Sequence, residues 1–187
     1  MILSRWRLRL IVRHLRRGGV IAYPTEGVYG LGCDPWNQAA VEIILALKGR
    51  PADKGLILIA ADIEQLLPFV RLPSETVVER LLETWPGPVT WILPASPLAP
   101  EWLRGKRPTV ACRVTAHPVA AQLCRAFGGP LVSTSANPAG HRPARCLLEV
   151  RRYFRDRPEL LPVPGPLGGL ERPTPIFDAL TGRCLRP

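Results

Sequence analysis

The chain has 187 residues, is 47% hydrophobic and 21% charged, and so fits one globular domain and excludes a disordered chain. Its 22 prolines and 16 glycines carry no repeat, and no apolar run approaches the roughly 20 residues of a membrane-spanning helix. The net charge of +10 favours polyanionic partners: nucleotides, RNA or an acidic membrane surface.

Taken in chain order, residues 1–17 place Leu3, Trp6, Leu10, Ile11 and Leu15 at helical spacing against a face of arginines. The stretch lacks the apolar core and cleavage site of a secretory signal. It is expected to dock on the core as a first helix, with a membrane-surface helix as the alternative. Residues 20–23 read as a buried strand ending at Pro24, 38–47 as a helix and 56–60 as a strand. Asp62 is expected to cap a helix running to Phe69, and Ser74 another that stops at Trp85-Pro86-Gly87. Residues 89–93, 109–114 and 131–134 read as strands, 118–127 and 147–154 as helices. The Pro- and Gly-rich stretch 162–175 reads as a loop, and 176–178 with 183–185 as a closing hairpin around Thr181-Gly182. Alternating strands and helices predict an α/β sheet with helices packed on it. No linker divides the chain, so residues 1–187 are read as a single domain.

Cys33, Cys112, Cys124, Cys146 and Cys184 include no CxxC pair, so neither a zinc site nor a disulfide framework is expected. Half-buried, reduced thiols of a cytoplasmic protein are expected instead. His14, His117 and His141 have no spaced partner and read as surface or cap residues. There is no P-loop, and Gly27, Gly30 and Gly32 stand as GxxGxG, not the dinucleotide GxGxxG. GxSxG, HExxH and SxxK are absent as well. An enzyme built from this sequence works without a familiar nucleophile or structural metal.

Four constellations remain. Residues 24–32 (PTEGVYGLG) follow the first strand, where open α/β sheets bind ligands, and offer the Thr25 hydroxyl and the Glu26 carboxylate. A tight structural turn explains the glycines equally well. Lys48, Arg50 and Lys54 gather three cations in a loop fixed by Pro51 and Gly55, suited to phosphate oxygens. Cations at a helix C-terminus are also favoured by the helix dipole. Ser133, Thr134, Ser135 and Asn137 cluster small polar groups where another strand ends. Thr109 and Arg113 share one face of a strand, where Arg113 either pairs with a core carboxylate or receives an anionic ligand.

Together the segments PTEGVYGLGCDP, LKGRPADKGLILIA, WPGPVTWILPA, TVACRVTAHP, PLVSTSANPAG and DALTG resemble the YrdC/TsaC family, the threonylcarbamoyl-AMP synthases, in the family's order and over nearly the whole chain. The resemblance implies one α/β domain: a twisted, mixed open sheet with flanking helices around a basic concave cavity. It implies a cytoplasmic nucleotidyltransferase that makes threonylcarbamoyl-adenylate and pyrophosphate from L-threonine, bicarbonate and ATP, with Mg2+, for t6A modification of tRNA. Lys48 and Arg50 would be catalytic, and with Lys54, Thr109, Ser135 and Asn137 would bind ATP. Thr25, Arg113 and Ser133 would hold threonine. Some longer relatives carry a His on the strand after the Lys; here that stretch reads Gly55-Leu56-Ile57-Leu58-Ile59. An affinity for tRNA or double-stranded RNA and a downstream tRNA threonylcarbamoyl transferase complex are implied as partners, with no membrane.

The residues agree with that chemistry. A carbamate attacking the α-phosphorus of ATP needs positioning and charge neutralisation, not a covalent nucleophile. Two readings stand beside it. An RNA-binding protein would use the charge, but no RRM, KH or dsRBD pattern occurs and aromatics are only 6%. A carbamoyl-phosphate-dependent adenylating enzyme uses a similar domain within a much longer chain.

Overall fold

The apolar runs assemble into one nine-stranded mixed sheet in the computed structural model, which describes residues 3–50, 55–171 and 174–187. The elements in order are α1 (Arg5–Arg16), β1 (Val20–Pro24), β2 (Tyr29–Gly32), α2 (Gln38–Lys48), β3 (Ile57–Ala60), α3 (Glu75–Leu82), β4 (Thr90–Pro94), α4 (Glu101–Arg104), β5 (Thr109–Val114), α5 (Pro118–Phe127), β6 (Leu131–Ser135), α6 (Leu147–Tyr153), β7 (Leu160–Pro162), β8 (Ile176–Asp178) and β9 (Cys184–Arg186). The strands lie in the order β7-β1-β2-β6-β3-β5-β4-β8-β9. β3 runs parallel to β5 and antiparallel to β6, and β1 runs antiparallel to β2 and parallel to β7.

Local chemistry sets the helix ends. Asn37 Oδ1 accepts from the Ala40 N–H at 3.0 Å to open α2, and Gly49, at φ 60°, closes it in the left-handed region. Ser74 opens α3, and His117 opens α5 by accepting from the Ala120 N–H at 3.4 Å. On β5, Val110, Cys112 and Val114 point into the larger core, which takes Val41 and Ile44 of α2, Leu81 of α3, Leu103 of α4 and Val150 of α6. A second core joins Ile11 and Leu15 of α1 to Val119 and Leu123 of α5 and to Ile21, Tyr23, Ile59 and Leu131 of the sheet. α1 is therefore docked on the protein. Leu3 and Gln122 seal it with a reciprocal pair of hydrogen bonds at 2.9 and 3.0 Å.

Several expectations change. The Gly-rich stretch after β1 is not a loop throughout: Tyr29–Gly32 is strand β2, paired antiparallel with β1. Gly32 is needed there because a Cβ would come within 2.6 Å of the Val132 carbonyl and 2.7 Å of the Tyr23 ring. Asp62 does accept the Gln65 N–H at 3.1 Å, but only a 3-10 turn, Glu64–Leu66, follows. Pro68 has no N–H with which to extend it. β7 begins before the expected loop, and α4 was not foreseen. The thiols divide instead of being half-buried: Cys33, Cys112 and Cys124 are buried, while Cys146 and Cys184 are exposed. All five are free, and burial pushes the three buried thiols up, which makes them inert.

Candidate active site

On the sheet face that carries the second core, α1 and α5 cover one part and leave another open. The open part is a cavity of about 490 Å³. Its floor crosses the strands through Gly30 of β2, Ser133 and Ser135 of β6, Ile57 of β3, Thr109, Ala111 and Arg113 of β5, Ile92 of β4 and Ile176 of β8. The register explains this row: Gly30 faces Ser135, Ile57 faces both Ser133 and Ala111, and Ala111 faces Ile92. Strand alternation then turns the hydroxyls and Arg113 into the cavity and the valines into the core. The site thus lies on the face of the sheet, not outside the carboxyl ends of its strands as the sequence led us to expect.

Thr25, Arg50, Thr109, Arg113, Ser133 and Ser135 all line this one cavity. The Thr25 hydroxyl donates to the Val28 carbonyl at 2.7 Å, closing the β1–β2 turn at its rim. Arg50 Nη2 donates to the Gly55 carbonyl at 2.9 Å. Lys48 and Asn137 are not among the lining residues. The Lys48 side chain is turned into the loop after β6, where Nζ donates to the Ser135 carbonyl, to the Asn137 carbonyl at 3.1 Å and to Asn137 Oδ1 at 3.2 Å. Only 5% of Lys48 is exposed. Burial first, and the nearby Arg50 second, lower its pKa to about 8. Ser135 Oγ donates to Asn137 Oδ1 at 2.6 Å, so the loop is one connected unit. Lys54 lies outside the described residues.

Arg113 resolves its two sequence readings together. Its Nη2 lies 3.2 Å from Glu26 Oε2, its Nη1 donates to Thr174 Oγ1 at 2.6 Å, and it still lines the cavity. Glu26, offered by the sequence beside Thr25, pairs with Arg113 and is not among the lining residues, whereas Thr174, Arg186, Arg104 and Arg107 were not foreseen as site residues. Arg186 arrives on β9 and donates to the Thr174 carbonyl at 2.6 Å; no local pattern announced it. Arg104 and Arg107 did have a signal, the run Arg104-Gly105-Lys106-Arg107, which repeats the Gly-punctuated cations of the earlier loop. The cavity is therefore basic, lined by Arg50, Arg104, Arg107, Arg113 and Arg186. Among the described residues, no three His, Cys, Asp or Glu side chains group to hold a metal.

The family model described as Telomere recombination, Sua5/YciO/YrdC, matches residues 13–184. The chain belongs to the Sua5/YciO/YrdC family. It is 61% identical over 182 residues, 97% of this chain and 94% of the relative, to a protein of Halorhodospira halophila named threonylcarbamoyl-AMP synthase. It is 54% identical over 184 residues, 98% of each chain, to a Methylococcus capsulatus protein of the same name. Among solved structures of the family, P. abyssi Sua5 complexed with L-threonine superposes with a TM-score of 0.88 at 32% identity, covering 95% of this chain and 52% of that one. The chain thus spans about half the length of that Sua5 chain. E. coli YciO superposes with a TM-score of 0.81 at 29% identity, covering 94% of this chain and 84% of the other.

Proposed function

We propose that this protein is a threonylcarbamoyl-AMP synthase, a nucleotidyltransferase acting on L-threonine, bicarbonate and ATP. The observation that carries the reading is a basic cavity in which Thr25, Arg113 and Ser133 meet Arg50, Thr109 and Ser135. The name shared by full-length relatives at 61% and 54% identity supports it. So does the threonine complex of the Sua5 structure. Strands from Val20 to Arg186 join one sheet, which supports treating residues 1–187 as one functional unit.

In this reading the threonine carboxylate meets Arg113, with the hydroxyls of Thr25 and Ser133 beside it. The threonine amine attacks CO2 derived from bicarbonate and loses a proton, giving a carbamate. A carbamate oxygen then attacks the α-phosphorus of ATP, the bond to the β-phosphate bridging oxygen breaks, and pyrophosphate leaves. No side chain becomes covalently bound. The protein supplies orientation and positive charge where the phosphoryl oxygens gain negative charge. Arg50, with Arg104, Arg107 and Arg186, is suited to the phosphates, and Thr109 to the nucleotide. Lys54 keeps its place in the proposal as a phosphate contact. Lys48 keeps its place in the proposal as a catalytic phosphate contact, and its ammonium also holds the Ser135–Asn137 loop.

Ser135 Oγ, a neutral oxygen of a cavity-lining residue, fits Mg2+ arriving on the triphosphate and keeping most of its waters, with Asn137 held beside it. Bound there, Mg2+ would neutralise phosphate charge. Delivery of the adenylate to a tRNA threonylcarbamoyl transferase complex for t6A, an affinity for tRNA or double-stranded RNA, and a cytoplasmic location complete the proposal. No described helix is long and apolar enough to cross a membrane.

The test is pyrophosphate release from ATP and Mg2+ with and without L-threonine and bicarbonate. Release that requires both is expected. A folded protein that releases none under any combination would overturn the reading.

A further inference from the structure

Behind the cavity wall lies a carboxylate that the chemistry above does not use. Glu26 is 6% exposed and Arg113 is 4% exposed. Glu26 is not among the residues lining the cavity, whereas Arg113 and Thr174 are. The contacts run in a directed chain. The His117 backbone N–H donates to Thr115 Oγ1 at 3.0 Å, which leaves the Thr115 hydroxyl proton for Glu26 Oε1 at 2.5 Å. Glu26 Oε2 then faces Arg113 Nη2 at 3.2 Å. On its far side the guanidinium donates from Nη1 to Thr174 Oγ1 at 2.6 Å. The Glu26 backbone is held as well, since its carbonyl accepts the Leu170 N–H at 3.0 Å.

An arginine side chain is long, and its planar fork recognises a carboxylate only when the plane is fixed. Here one contact at each terminal nitrogen fixes it, and the carboxylate behind it offsets a charge that burial would otherwise penalise. We propose that Glu26 is a positioning and specificity-determining residue: it sets the Arg113 guanidinium to accept the carboxylate of the amino-acid substrate. The inference rests on the proposed function for the identity of that substrate. The pairing also divides the cavity electrostatically. Arg113 with Glu26 carries no net charge, whereas Arg104, Arg107 and Arg186 have no carboxylate among the cavity's lining residues. A zwitterionic amino acid is thereby sorted to the neutral end and a triphosphate to the cationic end.

The experiment compares L-threonine with L-threoninamide, which lacks the carboxylate charge, in wild type, Glu26→Gln and Thr115→Val. In Glu26→Gln an amide N–H2 faces the guanidinium and the fork loses its orientation. The KM for L-threonine is expected to rise about 10-fold or more, with the KM for ATP within about 2-fold. The preference for L-threonine over L-threoninamide is expected to shrink by a similar factor. Thr115→Val keeps the ion pair and removes only the donor behind it, so it moves the same two readouts less, and it serves where Glu26→Gln fails to fold. Calorimetric titration of both ligands runs beside the assay. A wild type that binds L-threonine over its amide without turnover fails the proposed function, and loss of that preference in the variants still supports the role of Glu26. Equal losses for threonine and its amide, a parallel rise in the KM for ATP, or a wild type that does not distinguish the two ligands overturns the inference.

Discussion

Lys48 Nζ lies 3.2 Å from Asn137 Oδ1, so the last turn of α2 and the loop after β6 share one buried ammonium. The Ala139 N–H donates back to the Lys48 carbonyl at 2.7 Å, which makes the joint reciprocal. Lys48→Met keeps the stem and removes the donors: the Asn137 carbonyl loses its partner, while Asn137 Oδ1 keeps Ser135 Oγ and the Ser135 carbonyl keeps the Asn137 N–H. An unsatisfied buried carbonyl costs about 1–3 kcal/mol. A fall in melting temperature of roughly 3–10 °C is expected for a chain of this size. Calorimetry checks it, and pyrophosphate release should fall in the same variant because Ser135 loses its support.

The same ammonium gives a pH dependence. Its pKa is lowered from 10.5 to about 8, by burial first and by Arg50 second. Between those two values the folded protein holds Lys48 neutral while the unfolded chain still binds the proton, so this group's contribution to stability rises with pH in that window. Below about pH 8 both states are protonated and its slope vanishes. Activity runs the other way, since a neutral amine has fewer protons for the loop oxygens. Pyrophosphate release should decline as pH passes about 8, and the residual activity of Lys48→Arg should lack that limb. A pH–rate profile of both proteins decides it.

Arg50→Ala tests the phosphate end. Arg50 lines the cavity and belongs to no helix or strand, so the fold should survive its loss. Removing one preorganised donor from a developing charge costs about 100-fold or more in turnover. The expected result is near-abolished adenylate formation with circular dichroism unchanged. Retained activity would remove Arg50 from the site.

Docking of α1 predicts a contrast within one helix. Leu15 is fully buried between α1, α5 and the sheet, while Trp6 is 68% exposed. Leu15→Ala should cost about 2–5 kcal/mol in urea unfolding. Trp6→Ala should stay within about 0.5 kcal/mol.

Much of this arrangement was legible from local pattern. The strand at 109–114 and the helix at 118–127 appear as read, because alternation and capping are chemistry between neighbours in the chain. Thr25 and Ser133, singled out in short polar segments, and Arg113, singled out as a lone charge on an apolar strand, line one cavity. β2 was not legible, because Gly30 and Gly32 have no side chain to give a strand signal, and the need for Gly32 comes from Val132 and Tyr23 packed against it.

The sequence by itself determined the alternation of strands and helices, the excess of positive charge and the polar segments from which the site is drawn. Only the tertiary structure decided which side chains meet. Glu26 and Arg113 are far apart in the chain, and their pairing follows from the strand order that sets the β1–β2 turn and the end of β5 around one space. The structure also sent Lys48 into a loop instead of the cavity and carried Arg186 to the site on the last strand. Side-chain type is local information, but direction and partner depend on strand register, and register is set by burial across the whole sheet.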